Sequence, residues 1–362
     1  MNIPRMSAAV AVLALCGGAA LAQSAAPRPD QAPTPKWFRG NIHAHTSASD
    51  GDSAAADVVR VYRELQYDFL VLTDHNLVTP IDGLLDASIP APPPPPPPAP
   101  GAAPGVVPAP AAPRPFLLIP GTEVTGKVGQ KAVHVNGLGT TARVLPSGGD
   151  TVLDALQREV DAVVAVSGLP VVNHPNFSWA VTAADLKAVQ RVQLFELYNA
   201  HPQCNNIGGG GAPGVEEIWD DVLSTGRTLW GVAADDMHDL KRPWAQSAAR
   251  PGQAWVMVRA RELSQDALFD ALRRGDFYAS TGVELLEYSV TATGIRIAVK
   301  ENSMRKYRVL FIGKNGRTLK DVPASSAEYA FTGDEGYVRT KVIESYGKLA
   351  WTQPVLVAAS RK

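Results

Sequence analysis

Short apolar runs alternate with amphipathic segments over most of the chain, beginning at Trp37. Five runs lack strict polar–apolar alternation, which predicts buried strands of a parallel sheet: 69–73, 116–121, 169–174, 192–199 and 228–234. Segments with one apolar face predict helices at 54–65, 151–166, 182–190, 215–226 and 268–275, the fourth closed by Gly226. This repetition predicts an α/β fold, either a (β/α) barrel or an open doubly wound sheet.

The pattern changes at about Leu285. The segments that follow alternate strictly and are joined by turns such as Lys314-Asn315-Gly316, which predicts an antiparallel β module at 285–362. The module contains no histidine, so we assign it a packing or positioning role.

Polar residues stand directly after the predicted strands. They are His75, Glu123, His174, Glu196 and Asp236. In barrels of this class the carboxyl ends of the strands carry the active site, so we expect these side chains to share one face.

The N-terminus has the pattern of a secretory signal peptide over residues 1–22. A basic residue, Arg5, precedes a short apolar stretch, and Ala20-Leu21-Ala22 gives a cleavage pattern before Gln23. The alternative is an uncleaved anchor. Residues 23–36 are a Pro/Ala-rich lead-in that we expect to be disordered, and no later segment is apolar for the ~20 residues that a membrane span needs. We therefore expect a periplasmic or secreted protein.

A proline-rich insertion occupies residues 90–115 and includes the uninterrupted run Pro92–Pro98. Such a segment forms a polyproline II rod or a solvated loop, not a packed element. It is either an insertion tolerated in a surface loop or a weak ligand for a proline-recognising partner.

Charge and cysteine content narrow the function. The formal net charge is −1, and loss of residues 1–22 removes one arginine and no acid, which leaves −2. This balance gives no electrostatic case for nucleic acid as a general partner, so we expect a small-molecule substrate. Only Cys204 remains after cleavage, which excludes an intramolecular disulfide.

Six of the seven histidines lie in short motifs together with acidic residues. The histidines are His43, His45, His75, His134, His174 and His238, and the acids are Asp50, Asp74, Glu123, Asp235 and Asp236. Imidazole and carboxylate together suit zinc, manganese or iron(II), and the number of ligands exceeds what one ion can use. We therefore predict two or three divalent ions.

The spacing of the motifs supports a shared site. His43 and His45 are two residues apart, as are Asp236 and His238, so within a strand each pair would project from one face. Asp74 is expected to hydrogen-bond a liganding imidazole and fix its tautomer.

Six motifs in order resemble the PHP (polymerase and histidinol phosphatase) metallohydrolases: NIHAHTSASDG, LTDHN, GTEVTG, HVNGLG, NHP and DDMH. The resemblance spans roughly residues 37–282 and looks closest to the secreted branch that includes carbaryl hydrolase. It implies a PHP domain at 37–284 with a distorted (β/α)7 TIM-like barrel.

The resemblance also implies the distribution of ligands among three ions. The first would be held by His43, His45, Glu123 and Asp236, the second by Glu123, His134 and His174, and the third by Asp50, His75 and His238. Glu123 would bridge two ions, and Asp50 stands where some members of the family have histidine.

The expected chemistry is hydrolysis by metal-activated hydroxide. Asp236, or His238 if its bond to metal is labile, would move protons, and Glu123 would bridge the metals. There is no GxSxG motif, so we do not expect a serine nucleophile.

Three residues are candidates for substrate binding. His201 is not needed by the metals and would bind substrate or make a structural hydrogen bond. Lys127 and Arg242 follow metal-binding motifs closely and would hold a phosphate or remain solvated loop charges. Gly208–Gly211 is interpreted as a mobile rim loop.

These observations predict an exported metal-dependent hydrolase, with small organic phosphate esters as the expected substrates. A carbamate or aryl-ester hydrolase with the same metal centre is the alternative, because activated hydroxide serves both reactions. A non-catalytic metal-binding protein is the second alternative.

Overall fold

The computed structural model describes Met1 and residues 33–87 and 114–357. The predicted signal peptide, most of the lead-in and nearly all of the proline-rich insertion lie outside the described residues. Within the described part, helices are too short or too polar to cross a membrane.

Five of the six described α-helices match the amphipathic segments of the sequence, and the short helix at Leu84–Ala87 was not predicted. Their bounds are α1 Ala55–Glu64, α2 Leu84–Ala87, α3 Val152–Ala165, α4 Ala183–Ala188, α5 Val215–Leu223 and α6 Gln265–Arg274. Thr151 and Thr182 cap α3 and α4 with their side chains, and Gly275 ends α6 in a left-handed conformation (φ 75°). The five predicted helices are confirmed, although α5 ends at Leu223, before the expected cap at Gly226.

Most strands belong to two sheets. The larger sheet contains β1 Lys36–Asn41, β2 Phe69–Val71, β3 Leu117–Ile119, β9 Trp255–Ala260, β10 Phe277–Ser280, β13 Tyr307–Gly313, β14 Arg317–Val322, β16 Tyr337–Glu344, β17 Leu349–Thr352 and β18 Val355–Leu356. The five-stranded sheet contains β4 Gly121–Val128, β5 Lys131–Leu138, β6 Leu169–Val172, β7 Leu194–Asn199 and β8 Trp230–Ala234. A three-stranded sheet is formed by β11 Leu285–Thr291, β12 Gly294–Val299 and β15 Ser326–Ala330.

The chain is a mixed α/β protein, but the sheets of its described residues do not close into the expected TIM-like ring. Among the described strands, parallel ladders join β1–β2–β3 and β6–β7–β8, whereas β4, β5, β9 and β10 make antiparallel ladders. Pro120, which has no N–H to donate, separates β3 from β4, and β4 then turns back into a hairpin with β5. The sequence pattern predicted neither the hairpin nor β9 and β10.

Two isolated parallel bridges link the large sheet to the five-stranded sheet. One pairs Ala44 with Met237 and the other pairs His75 with Glu123. Both bridges lie beyond the carboxyl ends of the parallel strands, so they bring the histidine-containing motifs to one place.

The strands from residue 285 onward are divided between the large sheet and a small sheet of their own. β17 pairs with β10, so β13, β14, β16 and β17 continue the large sheet, while β11, β12 and β15 form their own. The described residues from Pro35 onward belong to one compact unit. The domain boundary at 284/285 remains a prediction.

Candidate metal centre

Two pairs of predicted ligands face each other across the Ala44–Met237 bridge: His43 with His45, and Asp236 with His238. His43 and His45 flank Ala44, just beyond the end of β1 and not within it as the spacing suggested. The backbone N–H of His45 donates to the carbonyl of Met237 over 2.9 Å. The extended backbone beyond the strand therefore preserves the side-chain alternation that aims both imidazoles at the same space.

Asp236 and His238 flank Met237 in the same way, beyond β8. The Nε2 atoms of His43 and His45 each lie 3.2 Å from Oδ1 of Asp236. Asp236 has a φ of 50°, a conformation that costs energy for a residue with a side chain. The backbone is thus held in a strained form where it places this carboxylate between two imidazoles.

Glu123, in β4, is the centre of a second group. Its Oε1 lies 3.0 Å from Nδ1 of His134 and 3.2 Å from Nε2 of His174, and its Oε2 lies 2.8 Å from Nδ1 of His75. The residue is 1% exposed. One buried carboxylate therefore faces imidazoles on both sides, which is the geometry of a bridging ligand.

Asp50 is the central residue of the outermost group of ligands. Its carboxylate lies 3.2 Å from Nε2 of His75, 3.3 Å from Nε2 of His238 and 3.6 Å from Nδ1 of His45. Its side chain is 55% exposed, so this group lies at the mouth of the site.

The structure thus brings all nine predicted metal ligands together in three groups. Within each group the ligand atoms lie within 4.8 Å of one another: His43, His45 and Asp236; Glu123, His134 and His174; and Asp50, His75 and His238 with His45. A fourth group of His201, Cys204 and Asp236 meets the same distance criterion. Cys204 is buried in a loop, as expected of an ordinary buried thiol, and burial raises the pKa of its thiol.

The residues fit divalent metal ions because several buried ligand atoms lie close to one another without forming hydrogen bonds. His43 Nε2, His45 Nε2 and Glu123 Oε2 are buried and make no hydrogen bond to any described residue. A buried polar atom without a hydrogen bond costs roughly 1–3 kcal/mol. When neighbouring imidazole nitrogens and carboxylate oxygens coordinate a zinc-type ion, the bonds to the metal offset this free-energy cost.

The site strongly favours the ionised form of its carboxyl groups. Burial alone would raise the pKa of Asp236, but His43 and His45 hold it well below its usual value. Burial likewise opposes ionisation of Glu123, yet the charges of His134 and His43 hold its pKa well below the usual range. These carboxylates are therefore charged at neutral pH and available as ligands.

A further carboxylate, that of Glu196 within β7, orients the site from behind. Its Oε1 lies 2.7 Å from Nδ1 of His43, and its Oε2 accepts from the backbone N–H of His174 over 2.7 Å and from Nδ2 of Asn199 over 2.8 Å. Since Glu196 is an acceptor, Nδ1 of His43 carries the proton and Nε2 presents a lone pair to the cavity. The sequence marked Glu196 only by its place at a strand end and did not identify this role.

The predicted role of Asp74 is wrong. Its carboxylate accepts from the backbone N–H and hydroxyl of Thr46 and from the hydroxyls of Ser49 and Thr79, and it contacts no imidazole. Two contacts connect Asp74 to the site: the Ser49 hydroxyl lies 3.4 Å from Nδ1 of His45, and the backbone N–H of Glu123 donates to the Asp74 carbonyl over 3.2 Å. Asp74 therefore fixes the loop that carries the ligands.

Asp235 is a second structural carboxylate. It accepts from the Tyr62 hydroxyl over 2.8 Å and from the backbone N–H groups of Gly252, Gln253 and Ala254. Burial raises its pKa to about 6 against these hydrogen bonds. Of the two adjacent aspartates, Asp235 therefore anchors the strand end, and Asp236 faces the cavity.

The groups surround a cavity of about 190 Å³. It is lined by Asp50, His75, Glu123, His134, His174, Phe177, His201, Gln203, Asp236 and His238. Phe177 and Gln203 were not among the predicted site residues, because a lone phenylalanine and a lone glutamine carry no recognisable pattern.

The predicted phosphate-binding cations do not line this cavity. Lys127 lines a neighbouring cavity of about 490 Å³, which shares His134 with the first. Arg242 is exposed and lines neither of these two cavities. His201, the third predicted substrate contact, does line the metal cavity.

No protein-family model and no curated protein matches the chain. Among solved structures, it is similar to a two-domain protein from Bacteroides vulgatus that contains a predicted PHP-like metal-dependent phosphoesterase. Identity is 15%, the TM-score is 0.46, and the match covers 91% of this chain and 100% of that one.

Two further solved structures are similar over shorter stretches. A provisionally assigned metal-dependent phosphoesterase from Bifidobacterium adolescentis shares 14% identity, with a TM-score of 0.37 and coverage of 65% of this chain and 96% of that one. An amidohydrolase from Chromobacterium violaceum with bound sulfate and no metal shares 14% identity, with a TM-score of 0.33 and coverage of 58% and 90%.

Proposed function

We propose that this protein is a metal-dependent hydrolase that acts on small organic phosphate esters. One observation carries the proposal: three buried ligand atoms, on His43, His45 and Glu123, lack hydrogen bonds, and the two imidazole nitrogens each lie 3.5 Å from the Glu123 carboxylate. A purely structural cluster would pair these atoms internally. Their arrangement instead supports a site completed by cations.

The proposed ligands follow the three groups around the cavity. His43, His45, Glu123 and Asp236 would hold one ion; Glu123, His134 and His174 a second; and Asp50, His75 and His238 a third. Divalent ions held there supply a hydroxide-generating and charge-neutralising centre for hydrolysis at neutral pH.

The tautomers of the surrounding histidines suit this role. The Nδ1 atom of His238 lies 2.8 Å from the carbonyl oxygen of Asp236, so Nδ1 carries the proton and Nε2 is left as a ligand toward Asp50. Because that proton is held by a carbonyl, we assign proton transfer in the cavity to the Asp236 carboxylate in preference to His238.

His201 has the opposite tautomer. Its Nδ1 accepts from the backbone N–H of Gln203 over 3.3 Å, so in the neutral ring Nε2 carries the proton. Burial lowers the pKa of His201, which favours this neutral form. A neutral imidazole that lines the cavity can donate a hydrogen bond from Nε2 to an ester oxygen of the substrate.

A panel of p-nitrophenyl esters tests the reaction class. The metal-free protein would be reconstituted with manganese, zinc or iron(II) and assayed on p-nitrophenyl phosphate, bis(p-nitrophenyl) phosphate, p-nitrophenyl acetate and a p-nitrophenyl carbamate. Release from the phosphates alone supports the proposal, whereas release from the acetate or carbamate alone would reassign the protein as a carboxyl-ester or carbamate hydrolase. No turnover on any ester with metal bound would favour a metal-binding protein without catalytic activity.

We also propose that the protein is exported, because the pattern of residues 1–22 is that of a signal peptide. The intact mass of the protein recovered from the periplasm or medium should correspond to a chain that begins near Gln23. A full-length mass in that fraction would contradict cleavage.

A further inference from the structure

Three residues line the metal cavity without belonging to the proposed ligand set. They are Phe177, His201 and Gln203. The Phe177 ring centroid lies 5.1 Å from that of His174, 6.0 Å from that of His134 and 6.5 Å from that of His201. The non-metal wall of the cavity is therefore one aromatic ring, one imidazole and one amide.

The segment that carries Phe177 is fixed to the opposite rim. The side chain of Asn176, 3% exposed, donates to the carbonyls of Asn205 and Pro213 over 3.1 and 2.9 Å. Asn205 donates in return to the carbonyl of Asn176 over 3.2 Å. These bonds hold the loop of Phe177 against the loop of His201.

The backbone on the other side of Phe177 is strained. Ser178 and Trp179 have φ values of 50° and 53°, in the left-handed region that side chains disfavour. The Ser178 hydroxyl accepts from the backbone N–H of Ala132, in β5, over 2.8 Å. Strain of this kind persists where the surrounding structure fixes the conformation, and it concentrates at ligand-binding sites.

The charge of the cavity wall restricts which substrates can bind. The lining contains three carboxylates, those of Asp50, Glu123 and Asp236, and no lysine or arginine. Bound metal ions offset the negative charge only at the ligand atoms. A second anionic group on the substrate would therefore find no cation along this wall.

We propose that Phe177 selects the organic part of the substrate, so that the site prefers phosphate esters of a flat, uncharged group. This inference rests on the proposed function. The planar group would lie against the Phe177 ring while His201 Nε2 donates to the ester oxygen that links it to phosphorus. Phe177 lines the cavity and is partly exposed, so its ring can contact a group that extends outward from the phosphoryl group.

Non-hydrolysable phosphonates test the preference without the reactivity of a leaving group. Methylphosphonate, cyclohexylphosphonate, phenylphosphonate and 4-carboxyphenylphosphonate would be titrated calorimetrically into the metal-loaded protein. Phenylphosphonate should bind about tenfold more tightly than methylphosphonate and measurably more tightly than cyclohexylphosphonate. The carboxylated analogue should bind more weakly than phenylphosphonate.

The variants separate the ring from the fold. Phe177→Ala should reduce the phenyl-to-methyl preference to about threefold or less, and Phe177→Leu, which keeps apolar volume, should lose the preference of phenyl over cyclohexyl. Trp179→Ala is the matched control, since Trp179 belongs to the same segment, is 42% exposed and does not line the cavity. It should leave every ratio unchanged.

Three results would overturn the inference. They are an equal preference in wild type and Phe177→Leu, tighter binding of the carboxylated analogue, and a preference lost in Trp179→Ala but kept in the Phe177 variants. If p-nitrophenyl phosphate is hydrolysed in any of these cases, the proposed function stands and only the inference fails. Absence of both phosphonate binding and phosphate hydrolysis rejects the proposed function and the inference together.

Discussion

Two buried clusters of charged side chains in this molecule differ in how completely their charged groups are hydrogen-bonded. Around the metal cavity, Glu123 and Asp236 face several imidazoles and one amide each, from Asn173 and Asn199, and three ligand atoms have no hydrogen-bond partner among the described residues. Between helix α5 and strand β16, Arg339 instead makes two parallel hydrogen bonds of 2.7 Å to Asp220. Both clusters are buried, so burial of charge alone does not distinguish a functional site.

The structural cluster is balanced and its carboxylates are fully paired. Asp220 also accepts from the Tyr337 hydroxyl over 2.7 Å, and Glu216 pairs with both Arg339 and Lys341. Only one guanidinium nitrogen of Arg339 is unpartnered, and the guanidinium lies 5.0 Å from the centroid of the Trp219 ring. The metal cavity, by contrast, is lined by three carboxylates and by no lysine or arginine. Several buried imidazole and carboxylate atoms without hydrogen bonds, gathered in one place, distinguish this cluster from the structural one.

The largest effect is expected from removal of a shared ligand. Asp236→Ala and His45→Ala should each lose bound metal and show no turnover above the metal-free background, because Asp236 Oδ1 lies against two imidazoles. Elemental analysis and ester hydrolysis on the same samples measure both effects. His201→Ala is the control and should retain its metal. Full metal content in His45→Ala would contradict the ligand assignment.

Breaking the structural cluster should cost stability and leave metal binding intact. Arg339→Met removes the only partner that pairs Asp220 bidentately, so the free energy of unfolding should fall by about 3–5 kcal/mol. Urea unfolding measures the loss, and elemental analysis of the folded fraction should give the wild-type metal content. A parallel loss of metal from protein that remains folded would show that the two clusters are not independent.

A smaller effect on metal binding is expected from Glu196→Gln. The amide cannot accept from His43, the backbone of His174 and Asn199 at once, so the affinity for the ion at His43 should fall about 10–100-fold. Metal titration and NMR of the His43 tautomer measure the change. Glu216→Gln, in the structural cluster, is the matched control and should not alter metal affinity. Equal effects of the two substitutions would remove the distinction drawn between the clusters.

The smallest effect concerns Glu159, a buried acid in helix α3 that belongs to neither cluster. Both of its carboxyl oxygens lack partners among the described residues, and burial, with the nearby charge of Glu123, raises its pKa to about 9 from 4.5. The folded chain therefore keeps a proton that the unfolded chain releases above pH 4.5, so this group costs stability increasingly as pH rises toward 9.

Glu159→Gln should remove that dependence. The variant should match wild type at about pH 4.5 and exceed its free energy of unfolding by at least about 1 kcal/mol at about pH 8, both proteins being metal-free. Urea unfolding across the pH range measures the difference. A wild-type advantage that grows with pH would reverse the sign and show that the carboxylate is stabilising.

Some of the ligand residues could be predicted from the sequence because they follow an apolar run. That position gives a residue its place on the sheet without knowledge of distant contacts, which is why His75, Glu123 and His174 were identified; the Glu123 carboxylate lies 2.8 Å from His75 and 3.2 Å from His174. The helices were identified for a similar reason. Apolar residues that recur with the 3.6-residue period of a helix form one apolar face, and this pattern is visible in the local sequence.

The remainder depends on contacts between residues far apart in the chain. The pairing of Glu196 with His43 spans 153 positions, and the contact of Phe177 with the histidines leaves no local pattern. The hairpin of β4 and β5 was missed because Glu123 was interpreted as a strand-end residue, whereas it lies within β4, paired with β5. Asp74 and Asp235 resembled ligands in sequence and proved to be loop and strand anchors.

The central claim is that the cavity holds a cluster of divalent ions. Anomalous X-ray diffraction from crystals of the protein loaded with zinc or manganese tests it directly. We predict at least two anomalous peaks in the cavity, each about 2.0–2.3 Å from ligand atoms that include His43 Nε2, His45 Nε2 and the Glu123 carboxylate. Density confined to other parts of the surface, with these atoms unliganded, would contradict the claim.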